Sequence, residues 1–291
     1  MRYRVDHHTH YSYSEPVVYS DHATHLIPRE LSHQSVTSSQ VTISPTPGFQ
    51  ENTFDYFGNS VTAFTLNEAH SELKIDLSHT IDINPQPDSL LSTSTAWNLV
   101  PSTLQNQPSE EHLHALNFCY PSAYVPYQEC LREWGKKLFK NKLPIHELAL
   151  LLTQKIYDEF TFDSTATTVS TPIEEVFESK RGVCQDFSHL MIACLRNYGL
   201  PARYVSGYLE TDPPPGQEKV LGADASHAWV SVYCTNLGWI DFDPTNDCIA
   251  KDRYITLAWG RDYLDVSLIR GALTGGGNHT IKLAVDVTKI N

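Results

Sequence analysis

The chain lacks any run of about 18 apolar residues, so none of its helices is expected to cross a membrane. Its opening, MRYRVDHHTHYSYS, is too polar for a secretory signal, and the cytoplasm is the expected compartment. Basic residues are scarce: 21 Lys and Arg stand against 34 Asp and Glu, a formal net charge of −13. Such a field repels phosphate backbones and anionic lipid, so neither nucleic acid nor a membrane is an expected partner. No Cys-x-x-Cys pair occurs. The six cysteines (Cys119, Cys130, Cys184, Cys194, Cys234, Cys248) match no zinc-finger or disulfide-scaffold spacing, and reduced thiols are expected. A phosphate loop is missing as well, because Gly275-Gly276-Gly277 is followed by no Lys-Ser/Thr and leads into a strand, which reads as a turn. No cofactor and no metal are expected. His8 and His10 share a strand face near His7, His22 and His25, but the pattern supplies no set of four ligands, and exposed strand histidines are the simpler account.

What is present is 291 residues, 41% of them hydrophobic, enough for one large domain or two modest ones. Residues 1–85 carry a two-residue period, in Tyr3 and Val5, in Val41 and Ile43, and from Glu72 to Ile83. Turn signals at Ser44-Pro45-Thr46-Pro47-Gly48 and Phe57-Gly58-Asn59-Ser60 separate these runs, and an N-terminal β-sandwich is expected. Residues 86–108 are rich in Pro, Ser, Thr, Gln and Asn and read as a connector. Residues 109–291 read as an α+β domain, helices first and sheet second.

Ser109 with Glu110 and Glu111 makes an N-cap and acidic first turn. Leu148, Leu151, Leu152 and Ile156 recur at helical spacing behind Pro144, and a third helix is expected from Thr171-Pro172 through Val176 and Phe177. The most regular helix follows Gly182, with Phe187, Leu190, Met191, Cys194, Leu195 and Tyr198 on one face and Gly199 stopping it. Strands are expected over 202–209, 227–233, 239–243 and, behind the glycines, 280–287.

Cys184 stands at the start of that helix and on its apolar face. Unsatisfied N–H groups there, with Lys180 and Arg181 just ahead, favour a thiolate over a thiol. A small buried hydrophobe is the plainer alternative, and it is the reading for Cys194. Further on, two alternating arms joined by Cys234-Thr235-Asn236-Leu237 form a hairpin. A turn centred near Thr235 sets His227 directly opposite Asp243, where a carboxylate can hold an imidazole in one tautomer. Ala228, Val230, Ile240 and Phe242 would bury the other face. Asp241, which that register sets opposite Trp229, competes for the carboxylate role, with Asp224 and Asp186 behind it. Thr211 to Glu218 reads as a surface excursion near the cleft, and Trp229, Trp239 and Tyr208 as core aromatics or cleft walls.

Four blocks now carry a resemblance: Arg181-Gly182-Val183-Cys184-Gln185-Asp186-Phe187-Ser188-His189-Leu190, Gly199-Leu200-Pro201-Ala202-Arg203-Tyr204-Val205-Ser206-Gly207-Tyr208, His227-Ala228-Trp229-Val230 and Asp243-Pro244-Thr245-Asn246. In order and spacing they resemble the bacterial transglutaminase-like family. The likeness extends to Tyr3-Arg4-Val5 through Tyr13, Asp55 to Asn59, Gly260 to Tyr263 and Gly275 to Thr280, and leaves about 85–145 poorly covered. It implies a papain-like, transglutaminase-like core, helices packed on an antiparallel sheet, behind an N-terminal β-sandwich. It also implies that Cys184, His227 and Asp243 match the family's nucleophile, base and orienting acid. The implied activity is that of a thiol-dependent amide hydrolase acting on protein or peptide substrates through a thioester. The same thioester attacked by an amine would make a transglutaminase, and a non-catalytic protein-binding scaffold is the rival from another class.

Overall fold

The computed structural model describes residues 1–84, 88–212 and 226–290. Most of the expected excursion after Thr211, and Asp224 with it, lies outside the described residues.

Five strands come first: β1 (Arg2–Thr24), β2 (Gln34–Ser44), β3 (Phe49–Phe54), β4 (Ser60–Leu66) and β5 (His70–Ile83). Both turn signals fall between strands as expected. The 23-residue β1 breaks register between Ser12 and Val17. Its first half pairs with β5 and its second with β4, so the expected sandwich is one hydrogen-bonded sheet folded over on itself. Ile43, Phe64, Leu66, Leu73, Ile75 and Leu77 meet in the fold.

From Asp88 onward the expected connector takes up regular structure. Two 3-10 turns (Asp88–Thr93, Trp97–Leu99) run into α1 (Val100–Asn106), whose Val100 and Leu104 enter the main core. Then follow α2 (Glu110–Leu116), α3 (Glu129–Gly135), α4 (Ile145–Glu159), β6 (Thr161–Phe162), α5 (Ile173–Ser179), β7 (Arg181–Gly182) and α6 (Cys184–Arg196). Local signals set these boundaries. Ser109 Oγ accepts the His112 N–H at 3.1 Å, and Pro144 and Pro172 precede α4 and α5. Gly199 adopts φ +71° and the Leu200 N–H returns to the Leu195 carbonyl at 3.2 Å, closing α6 as its sequence foretells.

The second sheet contains β8 (Ala202–Leu209), β9 (Ser226–Cys234), β10 (Gly238–Asp243), β11 (Cys248–Ile249) and β12 (Tyr254–Gly260), in the order β11-β10-β9-β8-β12, antiparallel throughout. α6 lies on it. Leu190, Met191 and Leu195 of the helix are fully buried with Ala202, Val230 and Val232 of the sheet, and each such Leu or Met side chain contributes on the order of 1.5–3 kcal/mol.

The chain ends differently from the linear order expected. After α7 (Tyr263–Val266), β13 (Ile269–Gly275) and β14 (His279–Ile290) return to the first sheet, where both pair with β1. Gly275, Gly276 and Gly277 all take positive φ, which makes them the turn between these strands. Tyr3, Val5, Ile81, Ile83, Val285 and Val287 share one apolar cluster with α6, so the first sheet and the helical layer are welded by a common core. The sequence could not show this, because β14 finds its partner almost the whole chain away.

The histidines also depart from expectation. His8 is exposed beside Asp76, but His7 and His25 are buried: His7 Nδ1 bonds the Tyr208 hydroxyl at 2.7 Å, and His25 Nδ1 the Ser267 carbonyl at 3.0 Å. Among the described residues no group of three or more potential ligands gathers. Burial lowers the pKa of His7, His79 and His189 to about 4. A base with a lowered folded-state pKa contributes stability above pH 6.5 and loses it as pH falls toward 4, by about 1.4 kcal/mol per pH unit for each such histidine. Thermal unfolding followed from pH 7.5 to 4.5 is therefore expected to show a steep fall in Tm, less steep in His79→Asn. A flat profile would contradict it.

Candidate active site

Cys184 is the first residue of α6, half-buried and packed against the main core. Its place is set by what surrounds Gly182 and Asp186. The Asp186 carboxylate accepts the Val183 N–H at 2.8 Å and the Thr167 hydroxyl at 2.7 Å, closing the helix start. A Cβ on Gly182 would stand 2.8 Å from Asp186 Oδ2 and 2.9 Å from its Cβ, which is why this position has no side chain. Asp186, one of the rivals for the orienting role, is thus a helix cap.

The hairpin carries the other two residues, with a correction. β9 and β10 pair Cys234 with Gly238 and Phe242 with Val230, so the turn centres on Asn236, one residue later than expected. The cause is Gly238, whose φ of +76° adds a left-handed residue after the Cys234–Leu237 turn. His227 and Asp243 are consequently diagonal neighbours, two positions out of direct opposition. The shift keeps parity, so the faces do not exchange, and diagonal side chains still reach each other. His227 Nε2 meets Asp243 Oδ2 at 2.7 Å. Asp241 instead accepts the Trp229 indole N–H at 3.0 Å. Ala228, Val230 and Phe242 are buried and Ile240 half-buried, as expected. Trp229 and Tyr208 are fully buried, and Trp239 is half-buried.

Asp243 is wholly buried and accepts five hydrogen bonds. Its Oδ1 takes the Thr245 and Asn246 N–H groups at 2.8 and 3.3 Å; its Oδ2 takes His227, the Asn246 side chain at 2.6 Å and the Tyr254 hydroxyl at 2.8 Å. Burial, the largest influence, would raise its pKa, but these donors outweigh it and hold Asp243 below the usual carboxylate range. The reverse balance holds for His227. Burial pulls its pKa down most strongly, while its interactions with Asp243 and Cys184 outweigh burial and raise it to about 10. With Nε2 committed to Asp243, Nδ1 is the ring nitrogen left to face Cys184. The structure thus brings Cys184, His227 and Asp243 together. Desolvation pushes the Cys194 and Cys119 thiols up to about 12.

Two residues of this arrangement had no assigned role in the sequence. Asn246 sits in the last of the four blocks and was open to inspection there. Tyr254 opens β12, separated from β10 by β9 and β8 in the sheet order, and no spacing rule links it to Asp243.

The sequence profile of the Transglutaminase-like superfamily matches residues 132–244, and that of the Bacterial transglutaminase-like N-terminal region matches residues 3–82. An uncharacterized protein of Mycobacterium tuberculosis is 39% identical over 295 residues, covering 98% of this chain and 92% of its own length. A protein-glutamine gamma-glutamyltransferase of Pseudomonas aeruginosa is 31% identical over 87 residues, which are 30% of this chain and 13% of that one. The crystal structure of a candidate cysteine protease from Cytophaga hutchinsonii superposes with a TM-score of 0.78 at 19% identity, covering all of this chain and 91% of that one, and so shares the fold. On this evidence the chain belongs to the transglutaminase-like superfamily, in the branch that carries the bacterial transglutaminase-like N-terminal region ahead of the core.

Proposed function

We propose that the protein is a thiol-dependent amide hydrolase acting on protein or peptide substrates, with Cys184 as nucleophile, His227 as general acid and base, and Asp243 as the residue that orients and holds the charge of His227. The reading rests above all on one observation: His227 is hydrogen-bonded to the wholly buried Asp243 carboxylate, and Cys184 is near enough to act on its charge. Cys184 Sγ, having given its proton to His227, attacks the carbonyl carbon. The backbone N–H of Cys184, unsatisfied in the first turn of α6, donates to the developing oxyanion. His227 protonates the departing amine, leaving a thioester on Cys184. Water, relieved of a proton by His227, then cleaves the thioester and restores the thiol.

Transfer to an amine is the second reading, favoured by the 87-residue likeness to the Pseudomonas aeruginosa glutamyltransferase. The two part at the thioester. Incubating the protein with unfolded casein, with and without a primary amine, and reading the products by mass spectrometry separates them. Peptide-bond cleavage or carboxylate products insensitive to the amine are the expected result. Amine adducts on glutamine, displacing the water products, would overturn hydrolysis in favour of transfer.

A further inference from the structure

On the face of the second sheet away from α6, a cavity of about 400 Å³ opens between that sheet and the Leu31–His33 and Ile83–Asn84 segments of the first. None of Cys184, His227 or Asp243 lines it. Arg203 does. Arg203 is 8% exposed and its Cζ lies over two indoles, 4.1 Å from the Trp239 ring centroid and 3.6 Å from that of Trp259. Arg29 covers the far face of Trp259 at 3.5 Å. A guanidinium that packs its faces on aromatic rings keeps its N–H groups, which lie in its plane, for an acceptor. Arg203 Nε is buried without an acceptor, and among the described residues no carboxylate stands within ion-pair distance of this arginine. Asp241, also on the cavity wall, is near enough for its charge to be felt but is committed to the Trp229 indole. A buried cation whose Nε lacks a protein acceptor is costly unless an anion meets it.

We propose that this cavity binds a small organic monocarboxylate with a flat apolar body, its carboxylate on Arg203 and its body against the apolar wall that includes Leu237, Ile240 and Ile249. The fork geometry of guanidinium matches a carboxylate. Trp239, Trp259, Leu237 and Ile249 provide the apolar walls. Asp241 and Asp252 on the wall disfavour a second negative charge, which selects against phosphate, while Lys251 at the rim balances one of them. Such a site is independent of the reading of Cys184. It is nonetheless connected to it, because Tyr254 forms part of the cavity wall and donates to Asp243.

The test uses benzoate as probe and its neutral isostere benzamide as control, followed by tryptophan fluorescence and calorimetry on the full chain. Benzoate is expected to bind one to one with a Kd below about 1 mM, within reach of so small a ligand, and benzamide at least 10-fold more weakly. Ala250→Trp, which fills the cavity from its rim and leaves Arg203 in place, is expected to abolish binding while the Tm is retained. Arg203→Lys keeps the charge but loses the fork and should weaken binding at least 5-fold; Cys184→Ala should bind as the wild type does. Absence of saturable benzoate binding, equal affinity for benzamide, or undiminished binding in Ala250→Trp would each overturn the proposal.

Discussion

Replacing Cys184 by alanine is expected to abolish turnover, by roughly five to six orders of magnitude where a covalent step is lost, while leaving the Tm within a few degrees of the wild type. The second half follows from the position. Cys184 is only half-buried, it opens α6 without capping it, and Asp186 closes the helix start whatever side chain stands at 184. Alanine is also the better helix former. Cys194 is the control: it is fully buried against Leu131 and Gly135. Cys194→Ala should cost stability through the space it leaves and little activity. The measurement is the casein assay beside a melting curve. Residual turnover in Cys184→Ala above about one part in a thousand would remove Cys184 from the reaction, and a collapse in Tm would show that the residue is structural.

Asp243→Asn should act differently, on the pH profile as well as on the rate. In the wild type burial pulls the His227 pKa down most strongly, but the interactions with Asp243 and Cys184 outweigh it and raise the pKa to about 10, so His227 is expected to hold its proton through the neutral range. A reaction that needs the imidazolium to protonate its leaving amine therefore keeps its rate through the neutral range and declines only near that pH. Asparagine removes the carboxylate charge and leaves burial with weaker opposition, so the alkaline limb of kcat/KM should move down by several pH units. The rate at the optimum should drop by about 10²- to 10⁴-fold. The stability sign is the same: a raised folded-state pKa stabilises below pH 6.5, and this support fades as pH rises through about 10. A variant whose alkaline limb does not move would show that His227 owes its proton to something other than Asp243. Tyr254→Phe provides a graded comparison, since it removes one of the five donors and no charge.

How far the sequence reveals this site depends on how local each signal is. α6 and the position of Cys184 at its start follow from the 3.6-residue period of Phe187, Leu190, Met191 and Leu195 and from Gly199, all within one turn or two of the residues they govern. The hairpin faces are equally legible, because a period of two survives any even slip. Its register is not. It hinges on whether Gly238 belongs to the strand or to the turn, a choice between two backbone conformations that glycine accepts about equally. Asp241 and Asp243 are alike on the page and part only in the fold, where one meets an indole and the other an imidazole. Tyr254 and the return of β13 and β14 to β1 lie beyond any window, since their partners are set by the packing of the sheets.

That return has a consequence for how the molecule comes to exist at all. On the ribosome β5 is complete by Ile83, but β14 is made some 200 residues later, about 10–40 s at ordinary rates of synthesis. Throughout that interval the edge of β1 that β14 will cover presents open N–H and C=O groups, an invitation to any neighbouring nascent chain. One face of the waiting segment is studded with Arg2, Arg4, Asp6, His8 and His10, alternating with Tyr3, Val5, His7 and Thr9, which end up buried. A polar, charged strand is a poor template for self-association, and the same alternation that orients β1 in the finished protein keeps it solitary until its last partner emerges.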